Sequence, residues 1–180
     1  MRKIIYISFL ILASCTKTQN NEKKSRIEII QDLRIQAITN GDDYSYGTYI
    51  DFVNQENKYF DMLSISLIMN HRYKNEKSYY QIYRAIVSMN NNSSYHPKQL
   101  EYVHEIDRNY ALYYLREGAK RNDIACQTTL EKIYRNGYGV KVDSKKSDSL
   151  YTILENNKAF GDFYRKNREN KKNVDEIGNG

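Results

Sequence analysis

The set Ala111, Tyr114, Leu115 and Gly118 returns thirty-six residues later as Ser147, Leu150, Tyr151 and Leu154. Each set has the spacing i, i+3, i+4, i+7, which places its members on one face of an α-helix. A helical face recurring at a fixed interval of this size belongs to stacked helical hairpins, because one hairpin alone cannot cover its apolar face. The unit runs from a helix through an "AKRND" turn to a second helix with Cys126, Leu130, Ile133 and Tyr134 on its stripe, then through "NGYGVKVD" to the next helix. One proline and eight glycines in 180 residues leave few of the turns that a sheet of short strands needs. The expected fold class is all-α: a short α-solenoid of stacked antiparallel helical hairpins.

The glycines of "YRNGYGVKVDSKKSD" raise a second question, since a Gly-x-Gly either cradles phosphate or turns a chain. A phosphate-binding Gly-x-Gly-x-x-Gly follows a strand and opens a helix within a βαβ unit. Gly137 instead follows a helix at the end of an apolar stripe. It reads as the helix stop, Gly139 as a second reversal, Val140 as an apolar peg returning to the core, and Asp143 as the cap of the next helix.

From Ala111 to Ser147 the chain resembles the Sel-one-like repeat, a relative of the tetratricopeptide repeat. That pattern has an alanine-led helix, a Gly-Asn turn, Ala-x-x-x-Leu-Gly-x-x-Tyr, then Gly-x-Gly-Val and an aspartate. Ala111, Gly118, Ala119, Leu130, Tyr134, Gly137, Gly139, Val140 and Asp143 stand where the pattern wants those or similar residues. Asn122-Asp123 replaces Gly-Asn, Cys126 an alanine, Glu131 a glycine and Ser147 the next alanine. Asparagine tolerates the left-handed conformation and cysteine packs as a small apolar residue. Glu131 is the awkward exchange, because a glycine lets helices approach closely, and it predicts a splayed pair. The resemblance implies non-catalytic binding of another protein.

Upstream, "NGDDYSYGTY" lies over "RNDIACQTTL" at an offset of 81 residues, with Gly41 on Asn122 and Tyr49 on Leu130. Residues 26–156 are therefore expected to form a repeat domain of three degenerate hairpins and a capping helix. Its helices are expected from Ser25 with Ile27, Ile30, Leu33 and Ala37 on one stripe, from Tyr44 to Val53, from Glu56 to Asn70 and from Lys77 to Met89. "MLSISLIM" is apolar on nearly every face, which fits a sandwiched helix or a buried strand; the length of the pattern favours the helix. "NNNSSYHPKQ" reads as loop, "LEYVHEID" as a short helix, and clear order returns at Tyr110.

At the other end, "MRKIIYISFLILAS" has the layout of a secretory signal peptide, and its apolar run is too short to span a bilayer. It ends in "LASC", which resembles the bacterial lipobox; this implies a signal peptide over 1–14 and a lipid anchor at Cys15. Residues 15–25 read as a flexible tether. Loss of Arg2 and Lys3 lowers the formal net charge from +6 to +4, a weak pull on nucleic acid, and none is expected as a partner. Cys126 is left without an intramolecular disulfide partner.

No spacing of His71, His96, His104 or Cys126 forms a metal site, and no Gly-x-Ser-x-Gly elbow occurs. Neither cofactor nor metal nor catalysis is expected. The end of the chain, 157–180, reads as partly helical passing into a charged tail without a core. The functional expectation is a lipoprotein of the cell envelope, held on a membrane and facing the periplasm, whose repeats bind another protein as a scaffold or adaptor or as an immunity protein against an envelope-acting toxin. The alternative is an envelope enzyme or small-ligand carrier with its site between hairpins. Tyr113 and Arg116 lie off the buried stripe and are the candidate partner-binding residues.

Overall fold

A computed structural model of the chain describes residues 24–91, 95–158, 160–162 and 164–166. Among the described residues the named elements are seven α-helices and one 3-10 helix: α1 (Arg26–Asn40), α2 (Asp43–Gln55), α3 (Tyr59–Tyr73), α4 (Ser78–Asn91), the 3-10 helix (Pro97–Tyr102), α5 (Glu105–Lys120), α6 (Ile124–Asn136) and α7 (Ser144–Glu155). Each α-helix packs against the α-helices next to it in sequence, the 3-10 helix lies on α4 and α6, and α1 also meets α3 while α4 meets α6. The result is a short α-solenoid of three hairpins and a closing helix, with odd-numbered helices in one layer and even-numbered helices in the other.

The local signals lie where the repeat places them. Gly41 and Asn122 both take left-handed conformations, with φ of 69° and 64°. The residue after each is an N-cap: Asp42 accepts from the Ser45 amide at 2.7 Å, and Asp123 from the Cys126 amide at 2.7 Å. Hydrogen bonds from Ser45, from its side chain and its amide, hold the Asp42 carboxyl below its ordinary range. Tyr49 and Leu130, paired by the same offset, are both buried. At the start of α1, Ser25 and Glu28 form a reciprocal capping box.

"MLSISLIM" is helical and sandwiched. Met62, Ile65 and Met69 are buried, and Ser66 lies among them because its hydroxyl accepts from Tyr46 at 2.8 Å. Two apolar clusters fill the interior. One joins α1, α2 and α3; the other joins α4, α5, α6 and the 3-10 helix. α4 serves both, giving Tyr79, Ile82, Tyr83 and Ile86 to the second and Ala85 to the first.

Three details depart from the expected layout. Ile27 is 68% exposed, because among the described residues no helix covers that side of α1. "LEYVHEID", expected as a separate short helix, instead divides between the end of the 3-10 helix and the solvent-exposed start of α5, which runs on through Tyr110 from Glu105. The pair expected to be splayed at Glu131 is closed: α6 and α7 pack directly together, and the Ser147 hydroxyl donates to Glu131 Oε1 at 3.2 Å. Tyr164 donates to the other carboxylate oxygen at 2.7 Å, and Arg135 pairs with the carboxylate from one turn along α6. Thus the two departures from the repeat pattern, Glu131 for glycine and Ser147 for alanine, compensate one another across the helix interface.

Candidate functional site

The glycine loop is structural. Gly137 caps α6 at φ 73°, its amide bonded to Ile133 O, and Gly139 takes φ 64°. A Cβ on Gly139 would stand 2.8 Å from the carbonyl oxygen of Leu100 and 2.9 Å from Arg108 Cδ, so the loop lies flat on the 3-10 helix and α5. Val140 packs against the core beside it. Asp143 caps α7 by accepting from the Lys146 amide at 3.0 Å and pairs with Lys146 Nζ at 2.9 Å, contacts that hold its carboxyl below the ordinary range. Ala111 is buried on the α5 stripe. Gly118 is a close approach between helices, since a Cβ there would run into Cys126 Sγ and lie 2.8 Å from Tyr79 Cβ. Burial, with Asp123 nearby, raises the Cys126 thiol well above its ordinary value, so it serves as packing.

With the glycines assigned to architecture, the exposed apolar side chains become informative. α1 and α7 stand at the two ends of the series of named helices, and each exposes some. The inner helices do not stand at an end. α3 and α5 nevertheless carry five exposed large apolar residues, Phe60, Ile68, Ile106, Tyr110 and Tyr113, whereas α2, α4 and α6 together carry only Tyr44. The unburied apolar surface is therefore concentrated on the odd-numbered layer.

Tyr113 belongs to this layer. It is 55% exposed, and its ring meets Tyr114 edge-on at 5.3 Å. Tyr114 is buried beneath it, with Tyr110 OH 3.2 Å and His71 Nε2 3.0 Å from its hydroxyl. Burial pushes the Tyr114 phenol above its ordinary value, so it acts as a neutral support for the exposed rings.

Arg116 faces elsewhere. Its Nε donates to Tyr134 OH at 3.1 Å, and it lines a groove of about 700 Å³ that opens between α5 and α7 above α6. The structure does not bring Arg116 and Tyr113 to one spot: Tyr113 is not among the groove residues. Ala119, Leu130, Leu150 and Ile153 give the groove an apolar floor. Its rim holds Arg116, Lys120, Lys145 and Lys146 against one carboxylate, Asp143. The three lysines and Ile153 carry no signal of their own in the sequence, where "SKKSD" looks like an ordinary solvated helix start and only the packing of α7 turns it towards α5.

No group of three or more His, Cys, Asp or Glu among the described residues is placed to hold a metal ion. No described helix is long and apolar enough to cross a membrane. Cys15 and the signal-like stretch 1–14 lie outside the described residues, as do 15–23 of the tether and 167–180 of the tail. Compared with protein-family models, curated proteins and solved structures, the chain finds no match.

Proposed function

We propose that the chain is a non-catalytic lipoprotein of the Sel-one-like kind, anchored in the cell envelope through Cys15, that presents the odd-numbered layer of its solenoid to another protein. The observation carrying this reading is the segregation of exposed Phe60, Ile68, Ile106, Tyr110 and Tyr113 to α3 and α5. Exposed apolar residues, aromatics among them, are common material of protein interfaces. A scaffold and an immunity protein both use such a face, and the identity of the captured partner, envelope machinery or an envelope-acting toxin, separates them.

Two measurements test the proposal. Metabolic labelling with a fatty acid is expected to mark the wild type and to leave Cys15→Ala unmarked; equal labelling removes the anchor. Cross-linking in envelope extracts is expected to join the wild type to a partner that Ile106→Ser/Tyr113→Ala captures at least about tenfold less well, a loss of roughly 1.4 kcal/mol. Equal capture by both folded proteins removes the odd-numbered layer as the contact surface.

A further inference from the structure

The groove between α5 and α7 is chemically different from the flat apolar layer around Tyr113. Arg116, Lys120, Lys145 and Lys146 surround it, and among the described residues the only acidic neighbours engaged with them are Asp143, on Lys146, and Glu117, on Lys120. Arg116 and Lys145 have no ion pair among the described residues. All four cations are exposed, so the two pairs are held loosely and open readily to a better-placed acid. The groove thus keeps an excess of positive charge that its own walls do not neutralise.

Beneath that rim the floor is aliphatic. Leu130 is buried at its base, Leu150 is half-buried and Ile153 is 50% exposed. The Tyr134 ring is not free for a base to stack upon, because Lys146 Nζ lies over it at 5.2 Å and Arg116 holds its hydroxyl. A polyphosphate backbone would satisfy the rim and leave the floor uncovered. A flat bilayer surface would meet the rim lysines without reaching a floor recessed between two helices. An acidic peptide bearing aliphatic side chains satisfies both parts, and a volume of about 700 Å³ suits a short segment rather than a whole domain.

We propose that this groove docks an acidic, aliphatic-bearing segment of a partner protein, its carboxylates on Arg116, Lys120, Lys145 and Lys146 and its aliphatic side chains over Leu130, Leu150 and Ile153. The inference deepens the protein-binding reading above and rests on it. It assigns partner chemistry to a second contact region, beside the apolar layer of α3 and α5.

Fluorescence anisotropy with the full chain tests it, using a labelled synthetic peptide of Glu, Leu and Ala beside a Glu–Ser counterpart and a Lys–Leu counterpart. The Glu–Leu peptide is expected to bind at least about tenfold more tightly than either, and to weaken as salt screens the rim. Lys120→Glu/Lys145→Glu is expected to abolish that preference with its melting temperature unchanged, and Ile153→Asn to reduce affinity while leaving the salt dependence in place. Equal affinity for the Glu–Ser peptide overturns the aliphatic half of the proposal, and full affinity in the Lys120→Glu/Lys145→Glu variant overturns the whole. Binding to phosphatidylglycerol vesicles without binding to the Glu–Leu peptide also overturns it, in favour of a headgroup site. If the groove variants still capture the cross-linked partner, the groove proposal fails while the scaffold reading stands. Peptide binding without any partner in the envelope does the opposite, supporting the groove and removing the scaffold.

Discussion

Gly139→Val is expected to cost about 1–3 kcal/mol through backbone strain, since a β-branched residue resists the left-handed conformation found there. The steric term acts in the same direction. The new Cβ would stand 2.8 Å from the Leu100 carbonyl oxygen, which belongs to a backbone pinned by the 3-10 helix and has little room to yield. Thermal unfolding reads the effect at roughly 2–4 °C per kcal/mol for a chain of this size. Gly47→Ala is the internal contrast: it lies within α2 with nothing within 4 Å of an added Cβ, so alanine is expected to be neutral or to stabilise by up to about 1 kcal/mol. An unchanged melting temperature for Gly139→Val together with lost anion binding would revive a phosphate-cradling role for the loop.

Removing the carboxylate of Glu131 is expected to have the larger effect. The side chain is fully buried, and it is the common acceptor for Ser147, Tyr164 and Arg135. Glu131→Ala takes away that acceptor and leaves a void between α6 and α7. Breaking a buried pair costs about 3–5 kcal/mol, and the lower end applies because Arg135 can turn towards water. Arg135 is 33% exposed, which gives it that route. Tyr164→Phe, which deletes one donor and keeps the ring, is expected to cost about 1 kcal/mol. Urea denaturation at constant m-value separates the two, and a Glu131→Ala variant as stable as the wild type would mean that the carboxylate holds nothing together.

Much of the architecture was legible because helix stops, caps and stripes are local. Gly41-Asp42 and Asn122-Asp123 announce the same turn in different residues, since glycine and asparagine both accept positive φ and aspartate caps whatever follows. The Ala111 stripe and its copy at Ser147 fix the period without knowledge of any contact. Other features depend on partners far away in sequence. Glu131 looks like a misfit until Tyr164, thirty-three residues on, is brought to its side. The continuity of Glu105–Asp107 with the rest of α5 was hidden because all three face water and add nothing to the buried Ala111 stripe. The groove was hidden for a related reason: its residues run from Arg116 to Ile153 across three helices, and the lysines acquire a common direction only when α5 and α7 stand either side of α6. Tyr113 and Arg116, read as neighbours on one surface, share a helix but serve different regions.

Repeat arrays usually change by gaining, losing or exchanging whole hairpins, because each hairpin carries its own share of the core. Here α4 lends its Tyr79 face to the hairpin that follows and Ala85 to the one before, while Leu63 of α3 touches both clusters. Excising the middle hairpin, or trading it for another, would therefore open two interiors at once. The heritable unit of this small solenoid is the whole array, and single substitutions at exposed positions are the changes it can take without losing its fold.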